Sequence, residues 1–349
     1  MNMKNILAVL LFIAMNASSF AQGEKGFHFA ENKEKKQVDV LYNGRLLTAY
    51  CYYDSVRKPF LFPVNTVDGI TITRGWPIAP RAGERTDHPH HNGMWMNYES
   101  VNGLDFWNNS TAIEPAKRNL YGTIRHDNVV SATVDNNDKA TLITSASWLH
   151  PDGHVLLKEK TIHVFSVRAN AFIVERTTTL TANREDVVFK DTKDGLFAMR
   201  VARELEMPST QADVFTDAQG NKTAVQKMVS NEGVTGNYIS SEGKTGDSVW
   251  SSKGRWTMLQ GTKDGKDITI GMFDHPKNVG YPTYWHARGY GLFALNPLGR
   301  KVFSNGTEEL NFTLKPGTSS TFKYRVVIVS GKRLTDKEMN NLANEFATE

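Results

Sequence analysis

Cysteine is nearly absent from this chain. Cys51 is the single thiol among 349 residues, so no disulfide can form within the molecule and stability must come from packing. Tyrosines precede and follow it, and this setting predicts a buried strand cysteine rather than a reactive thiol. The chain is therefore not a disulfide-stapled scaffold.

Motifs for nucleotide binding and serine hydrolysis are also absent. The sequence has no Walker loop, no Gly-x-Ser-x-Gly elbow and no Gly-x-Gly-x-x-Gly that follows a strand. We therefore expect no cofactor, with a divalent metal as the open alternative. The formal net charge of +4 is small for this length, which predicts that nucleic acid is not a partner.

Long apolar runs are missing beyond the first residues. Lys4 precedes a run of about ten apolar residues, and Ser19 and Ala21 occupy the small-residue positions of a cleavage site. This pattern predicts a secretory signal peptide over residues 1–21, followed by a single domain over residues 22–349. No stretch reaches the roughly 18 apolar residues that a membrane span needs. We expect a periplasmic or secreted protein with no membrane insertion after signal cleavage.

Most of the chain after residue 21 shows the residue alternation of β-strands. Phe322, Tyr324, Val326 and Ile328 alternate with their neighbours, which is the period of a half-buried strand. Similar β-rich runs are separated by Gly, Pro, Asn and Asp turns. These runs cover residues 38–42, 46–53, 70–73, 128–134, 140–148, 154–167, 171–181, 196–205, 256–259 and 268–273. The pattern predicts an all-β protein, a large antiparallel β-sandwich.

One helix is predicted, at the C-terminus. Thr335 and Glu338 form the capping-box pattern Thr-Asp-Lys-Glu. Met339, Leu342 and Phe346 follow at helical spacing, so we expect a short helix that docks against the sheet. The polar, Gly-rich stretch 211–252 predicts instead a long loop over one sheet edge.

Three of the ten histidines fall within four positions. His88, His90 and His91 lie between Asp87 and Trp95. On an extended segment His88 and His90 project to one face, roughly 6–7 Å apart, while His91 points the other way. Imidazoles transfer protons near neutral pH and ligate metals, so the segment predicts the floor of a functional site. A hydrogen-bonded structural cluster at a sheet edge is the alternative interpretation.

Two carboxylates follow this motif. Glu99 and Asp105 lie close to Trp95 and Trp107, and apolar rings beside a carboxylate are a way to raise its pKa. They are therefore candidate general acids or bases that also contact substrate. The alternative is a polar loop whose tryptophans fill the core.

A second cluster lies near the end of the chain. Residues 274–276 repeat the Asp-His-Pro of the first motif, which makes His275 a candidate substrate contact. Tyr284, His286 and Arg288 then alternate, so an extended backbone aims all three at one side. Together they could transfer protons and hold an anionic or hydroxyl-rich group, with Trp285 as a platform for a sugar ring.

Arg200 and Glu204 are also placed together by the pattern. The stretch 194–204 puts them on one strand face, and an arginine among apolar neighbours needs a partner. We interpret them as a structural ion pair.

The chain resembles the secreted bacterial proteins of the PmoA family, also labelled methane oxygenase PmoA. The resemblance covers most of the chain after residue 21. It depends on the segments 87–95, 101–107, 194–202, 273–278, 282–297 and 324–330. It implies a galactose-mutarotase-like sandwich, a fold used by sugar epimerases, lyases and glycosidase domains.

These observations favour a carbohydrate-active enzyme that cleaves or modifies oligosaccharides or other glycosides by acid–base chemistry, of hydrolase or lyase type. In this hypothesis His90 and His286 transfer protons, assisted by Tyr284 and His88. Contacts to substrate come from the remaining candidates, His91, Trp95, Glu99, Asp105, Trp285, Arg288 and His275.

Two other functions stay open. The first is a metal-dependent oxygenase or hydrolase with His88, His90 and His286 as ligands. The second is a glycan-binding protein without catalysis, which would bind a sugar and release it unchanged.

Overall fold

The structure is a computed structural model that describes residues 25–349. The predicted signal peptide lies outside the described residues. Within them, no helix is long and apolar enough to cross a membrane.

Strands dominate the described part of the chain. In chain order they are β1 (Phe27–Asn32), β2 (Gln37–Tyr42), β3 (Arg45–Cys51), β4 (Phe60–Val64), β5 (Met94–Tyr98), β6 (Thr123–Val134), β7 (Ala140–Leu149), β8 (Val155–Arg168), β9 (Ala171–Ala182), β10 (Val187–Phe189), β11 (Gly195–Arg200), β12 (Asn237–Ser240), β13 (Trp256–Lys263), β14 (Lys266–Asp274), β15 (Tyr284–Arg288), β16 (Leu292–Asn296), β17 (Phe312–Leu314) and β18 (Ser319–Ser330). The helices are α1 (Arg300–Phe303) and α2 (Asp336–Ala347), with 3₁₀ turns at Pro115–Leu120, Arg203–Leu205 and Gly246–Val249.

Sixteen of these strands form two antiparallel sheets of eight strands each. The first sheet has the order β1-β2-β3-β4-β5-β11-β16-β15, and the second has the order β12-β13-β14-β18-β9-β8-β7-β6. Strands β10 and β17 pair separately. The predicted large antiparallel β-sandwich is confirmed.

The main core lies between the two sheets. Phe197 of the first sheet stacks on Tyr324 of the second, with ring centroids 5.2 Å apart. Trp285 and Phe293 of neighbouring strands are fully buried in the same core. Burying each such side chain stabilises the fold by about 1.5–3 kcal/mol, so packing replaces the missing disulfides.

The outer face of the second sheet is covered by α2. Thr335 caps this helix, and its side chain and that of Glu338 form the reciprocal capping box. Met339 and Phe346 are buried against Phe273 and its apolar neighbours on the sheet. The predicted C-terminal helix and its docking are confirmed.

Two of the predicted strands differ in the structure. Residues 70–73 form isolated bridges, through Thr71 and Thr73, rather than a strand. In the run 196–205 the strand ends at Arg200, where the backbone leaves the sheet. A 3₁₀ turn follows at Arg203–Leu205. The predicted long loop 211–252 contains one short edge strand, β12.

The outer face of the first sheet carries a different set of side chains. Trp95, Ala198, Ala294 and His286 lie side by side on β5, β11, β16 and β15, as the strand registers show. The two alanines leave a low floor between a tryptophan and a histidine. Because strands lie about 4.8 Å apart, this floor is roughly 14 Å wide.

Candidate functional site

The first histidine motif is held in place by a buried ion-pair network. Asp87 pairs with Arg74 and Arg200, and both N–O distances are 2.7 Å. Burial raises the pKa of Asp87, but the two guanidinium groups and His88 outweigh it and hold that pKa well below its ordinary value. Arg200 also lies 3.8 Å from Glu206. Asp87 therefore stays ionised and anchors the motif to the sheet.

The Arg200–Glu204 pair predicted from the sequence is wrong. Glu204 pairs with Lys263 at 2.5 Å, whereas Arg200 contacts Asp87 and Glu206. The strand ends at Arg200, so residue 204 no longer follows the alternation on which the prediction depended.

His88 is the outermost imidazole of the motif. Its side chain is 39% exposed, and its Nδ1 lies 2.6 Å from the carboxylate of Asp87. The ring stacks on His91 at 4.7 Å and on Tyr290 at 5.0 Å. The backbone φ of 46° at His88 lies in the left-handed region and turns the chain so that the three histidines pack together.

His90 and His91 lie deeper than His88. Both are buried, and burial together with neighbouring positive charges lowers the pKa of each well below its ordinary value. Nε2 of His90 has no hydrogen-bond partner, whereas Nδ1 of His91 lies 3.3 Å from the Arg200 guanidinium. Both rings are therefore neutral, and one offers an unpaired nitrogen. The prediction that His91 points away from its neighbours is wrong, because its ring stacks on His88.

Lys58 is a member of this region that sequence reasoning missed. Its ammonium group is buried, donates a 2.6 Å hydrogen bond to the carbonyl of His90 and lies over the ring of Trp95. Burial lowers the pKa of Lys58 to about 7, and only the charge of Asp105 opposes this effect. No local pattern marks Lys58, because its partners come from distant parts of the chain.

His286 from the second motif lies beside Asp194. The Nδ1 of His286 is 3.7 Å from the Asp194 carboxylate and has no hydrogen-bond partner. Burial, aided by the charges of Lys193 and Arg288, lowers the pKa of His286 to about 3, although a hydrogen bond with the backbone of Lys193 opposes the shift. The imidazole is therefore neutral near neutral pH. Asp194 was not among the predicted site residues.

Asp194 is also close enough to Glu99 and Asp105 for its charge to act on both carboxylates. Burial raises the pKa of Glu99, and the charges of Asp194 and Asp105 raise it further. Burial also raises the pKa of Asp105, although its oxygens accept hydrogen bonds from Asn108. Burial raises the pKa of Asp194, against the charges of Lys193, His88 and Arg288. Carboxyl groups and imidazoles with pKa values displaced in opposite directions are a common feature of acid–base sites.

The two histidine motifs are close enough for their charged groups to interact. The charge of His88 acts on both Asp194 and His286, and that of Arg288 acts on both as well. We name the set of residues His88, His90, His91, Glu99, Asp105, Asp194 and His286 the outer-face cluster.

Arg288 and Tyr284 border the outer-face cluster differently. Arg288 is exposed, with its guanidinium 5.5 Å from the ring of Trp250. The Tyr284 hydroxyl donates a 3.0 Å hydrogen bond to Glu308, and its ring stacks on Phe303. The Tyr284 hydroxyl therefore interacts with Glu308, which lies outside the outer-face cluster.

Three predicted substrate contacts occupy other positions. Trp285 is fully buried in the core between the sheets, because it alternates with His286 along β15. Trp95 is also fully buried, beneath His91 and Lys58, and therefore supports these side chains from below. His275 lies at the outer face of the second sheet, where its ring packs edge-on against Phe346 of α2 at 5.0 Å.

The alternative metal set does not converge. Among the described residues, no group of three that includes His88, His90 or His286 brings its ligand atoms within 4.8 Å of one another. The outer-face cluster contains buried carboxyl and imidazole groups, which are side chains of the type that can exchange protons.

Solved structures with some likeness to this chain include carbohydrate-related proteins. The galactosidase domain of an alpha-galactosidase–sucrose kinase, AgaSK, matches 87% of this chain at 8% identity and a TM-score of 0.38. The Slr1438 protein from Synechocystis sp. PCC 6803 matches 90% at 11% identity and a TM-score of 0.30. A candidate aldose 1-epimerase from Escherichia coli K12 matches 86% at 10% identity and a TM-score of 0.32.

These matches differ in how much of the other protein they include. The chain spans 41% of the AgaSK structure, and 98% of each of the other two. With TM-scores this low, no function follows from these matches. The two-sheet architecture described above is established by this structure itself. Comparison with curated proteins gave no match.

A family model covers most of the chain. The match runs over residues 37–344 and therefore includes both histidine motifs and the outer-face cluster. It does not carry the PmoA label, which stays a prediction. The chain belongs to the family described as "Family of unknown function (DUF6807)".

Proposed function

We propose that the protein is a carbohydrate-active enzyme that uses the outer-face cluster for acid–base chemistry on a glycoside or oligosaccharide. One observation carries the chemistry. The neutral His286 faces Asp194 at 3.7 Å, beside two further carboxyl groups whose pKa values are raised. The substrate class rests on the resemblance described above and on the combination of carboxylates, imidazoles and aromatic rings.

His286 has the properties of a general base. Its pKa of about 3 keeps it unprotonated at neutral pH, and its Nδ1 has no partner in the protein. A base with a pKa this low is weak, but proximity to a bound substrate compensates for low basicity. Asp194 then stabilises the imidazolium that forms when His286 accepts a proton.

Glu99 or Asp105 supplies the acid in this proposal. Burial raises the pKa of both groups, and the charge of Asp194 raises both further, which favours the protonated form that can donate a proton to a departing sugar oxygen. The charge of Asp105 in turn acts on Lys58 and opposes the lowering of the Lys58 pKa by burial. Cleavage by hydrolysis and cleavage by elimination both need this acid–base pair.

His90 takes a different role from the one its sequence position predicts. It is buried, and its carbonyl accepts the hydrogen bond of Lys58, so it positions Lys58 and its neighbours. His88, Tyr290 and Arg288 reach solvent and are the groups that would first contact a ligand. An exposed guanidinium suits a carboxylate or a hydroxyl-rich sugar.

The test uses purified protein and a panel of neutral and acidic oligosaccharides. We expect turnover that falls about 10²–10⁴-fold in His286→Gln and Asp194→Asn, the size of effect typical of a lost acid or base. The matched control is His275→Gln, which changes a buried histidine outside the outer-face cluster. Turnover by this variant should equal that of the native protein. Each variant is checked for folding by circular dichroism before assay.

Three outcomes would count against the proposal. Turnover that survives both substitutions would remove the outer-face cluster from the chemistry. Equal loss in His275→Gln would indicate a general effect on folding. Sugar that binds and is released unchanged by the native protein would favour a glycan-binding protein instead.

A further inference from the structure

The turn between β7 and β8 has an unusual composition. It reads His150-Pro151-Asp152-Gly153-His154, which places two imidazoles on either side of a carboxylate. The backbone is closed by hydrogen bonds from the amide of Gly153 to the carbonyl of His150 at 2.9 Å and from the amide of His150 to the carbonyl of His154 at 3.0 Å. Pro151 restricts one torsion, and Gly153 adopts the φ of 94° that a side chain disfavours. The turn is therefore rigid.

This rigid turn brings three potential ligand atoms together. Asp152 Oδ1 lies 3.0 Å from Nδ1 of His150 and 2.7 Å from Nδ1 of His154. Each of the three residues can offer one ligand atom within 4.8 Å of those of the other two, and they are the only such group among the described residues. Ligand atoms about 2.0–2.2 Å from a tetrahedral zinc ion lie roughly 3.3–3.6 Å apart, so small side-chain rotations suffice to admit an ion.

A fourth residue provides an independent observation. Nε2 of His154, the nitrogen that faces away from Asp152, lies 3.1 Å from the carboxylate of Glu185. Glu185 belongs to the connection after β9, so it reaches the turn from another part of the fold. A carboxylate that accepts the second N–H of a histidine selects the tautomer whose remaining nitrogen can bind a metal, and metal sites commonly contain this arrangement.

We infer that this turn is a binding site for one divalent first-row transition ion, with Zn²⁺ as its natural probe. His150 Nδ1, Asp152 Oδ1 and His154 Nδ1 are the ligands, and Glu185 orients His154. Mixed nitrogen and oxygen ligands suit Zn²⁺ and Cu²⁺ rather than Mg²⁺ or Ca²⁺, which prefer oxygen alone. The three ligand side chains are between 37% and 62% exposed, so the fourth coordination position is open to water.

This site is separate from the outer-face cluster. It lies on a hairpin of the second sheet, whereas the outer-face cluster lies on the first. The inference therefore does not depend on the proposed function. Binding would hold the two ends of the β7–β8 turn together and stabilise the folded protein by an amount that rises with the logarithm of the ion concentration above Kd.

The test is calorimetric titration of Zn²⁺ into the full chain, purified without a histidine tag and freed of metal. We expect one equivalent to bind. The affinity should fall more than about 100-fold in His154→Ala and about 10–100-fold in Glu185→Gln, since a carboxylate that hydrogen-bonds to a metal-binding histidine contributes that much. His88→Asn is the matched control, because it removes an exposed imidazole from the other histidine group and should leave the affinity unchanged.

Cu²⁺ electron paramagnetic resonance gives a second measurement that does not depend on affinity. The spectrum of the native protein should show coupling to two imidazole nitrogens, and that of His154→Ala to one. Full-strength binding in both His154→Ala and Glu185→Gln would overturn the inference. So would loss of binding in His88→Asn, or no stoichiometric binding by the native chain.

Discussion

The tripeptide Asp-His-Pro occurs twice in this protein, and the two copies have different surroundings. The first copy, at residues 87–89, lies on the outer face of the first sheet within the outer-face cluster. The second copy, at residues 274–276, lies where the second sheet meets α2. The comparison separates what a short motif determines from what its environment determines.

The two aspartates differ in their charged neighbours. Asp87 pairs with two buried arginines, and their charges hold its pKa well below its ordinary value. Asp274 has no such pair and accepts neutral hydrogen bonds from Asn278 and from the amide of Thr283. Burial therefore dominates and raises the pKa of Asp274 to about 7. The same side chain is a permanent anion at one site and a neutral acid over part of the pH range at the other.

The two histidines differ in access to solvent. His88 is 39% exposed and stacks on Tyr290, so a ligand can reach it. His275 is fully buried and packs against Phe346, so it belongs to the interface between the sheet and α2. Repetition of a motif is thus no guide to shared function.

The largest expected effect comes from removing one charge. Asp87→Asn leaves Arg74 and Arg200 buried without their main counter-ion, which should lower the free energy of unfolding by about 3–5 kcal/mol. Asp274→Asn replaces a mostly protonated acid at pH 5.5 and should cost only about 1 kcal/mol. Urea unfolding at pH 5.5 measures both. Equal losses would show that the two aspartates do not differ in charge state.

The pH dependence of stability should have opposite sign at the two sites. Asp274 binds its proton more tightly when folded, so its contribution is complete below pH about 4 and is lost as pH rises towards 7, by up to ~2–4 kcal/mol. Asp87 has a depressed pKa, so its contribution is present above pH about 4 and is lost in acid.

Unfolding curves from pH 3 to pH 8 test this difference. Asp274→Asn should flatten the decline between pH 4 and pH 7 and leave the acid limb unchanged. An unchanged decline in that variant would assign the effect to another group.

The smallest expected effect is that of His88, and it contrasts with the effect of His275. His275→Asn leaves a cavity and a polar amide beneath Phe346, which should cost about 1–3 kcal/mol. His88→Asn changes a partly exposed side chain, and asparagine tolerates the positive φ there, so the cost should stay within about 0.5 kcal/mol. Thermal unfolding of both variants ranks them, and the reverse order would contradict the assignment of His275 to the interior.

Several features could be predicted because their causes are local. The alternation around Phe322 and Tyr324 gives β18, and the pair Thr335 and Glu338 caps α2, as predicted. The site residues were harder to predict. The alternation of Tyr284, Trp285 and His286 indicates two faces, but it does not tell which face is covered by the second sheet, so Trp285 was assigned to the wrong side.

By itself the sequence determined the class of fold, the terminal helix and the segments rich in titratable side chains, since periodicity, capping and residue type act over a few neighbouring positions. The tertiary structure alone decided that Asp194 lies beside His286, that Lys58 donates a hydrogen bond to the carbonyl of His90 and that Arg74 and Arg200 share Asp87. Those partners are tens to hundreds of residues apart, and the charge state of each group depends on burial and on neighbours that only strand order brings together.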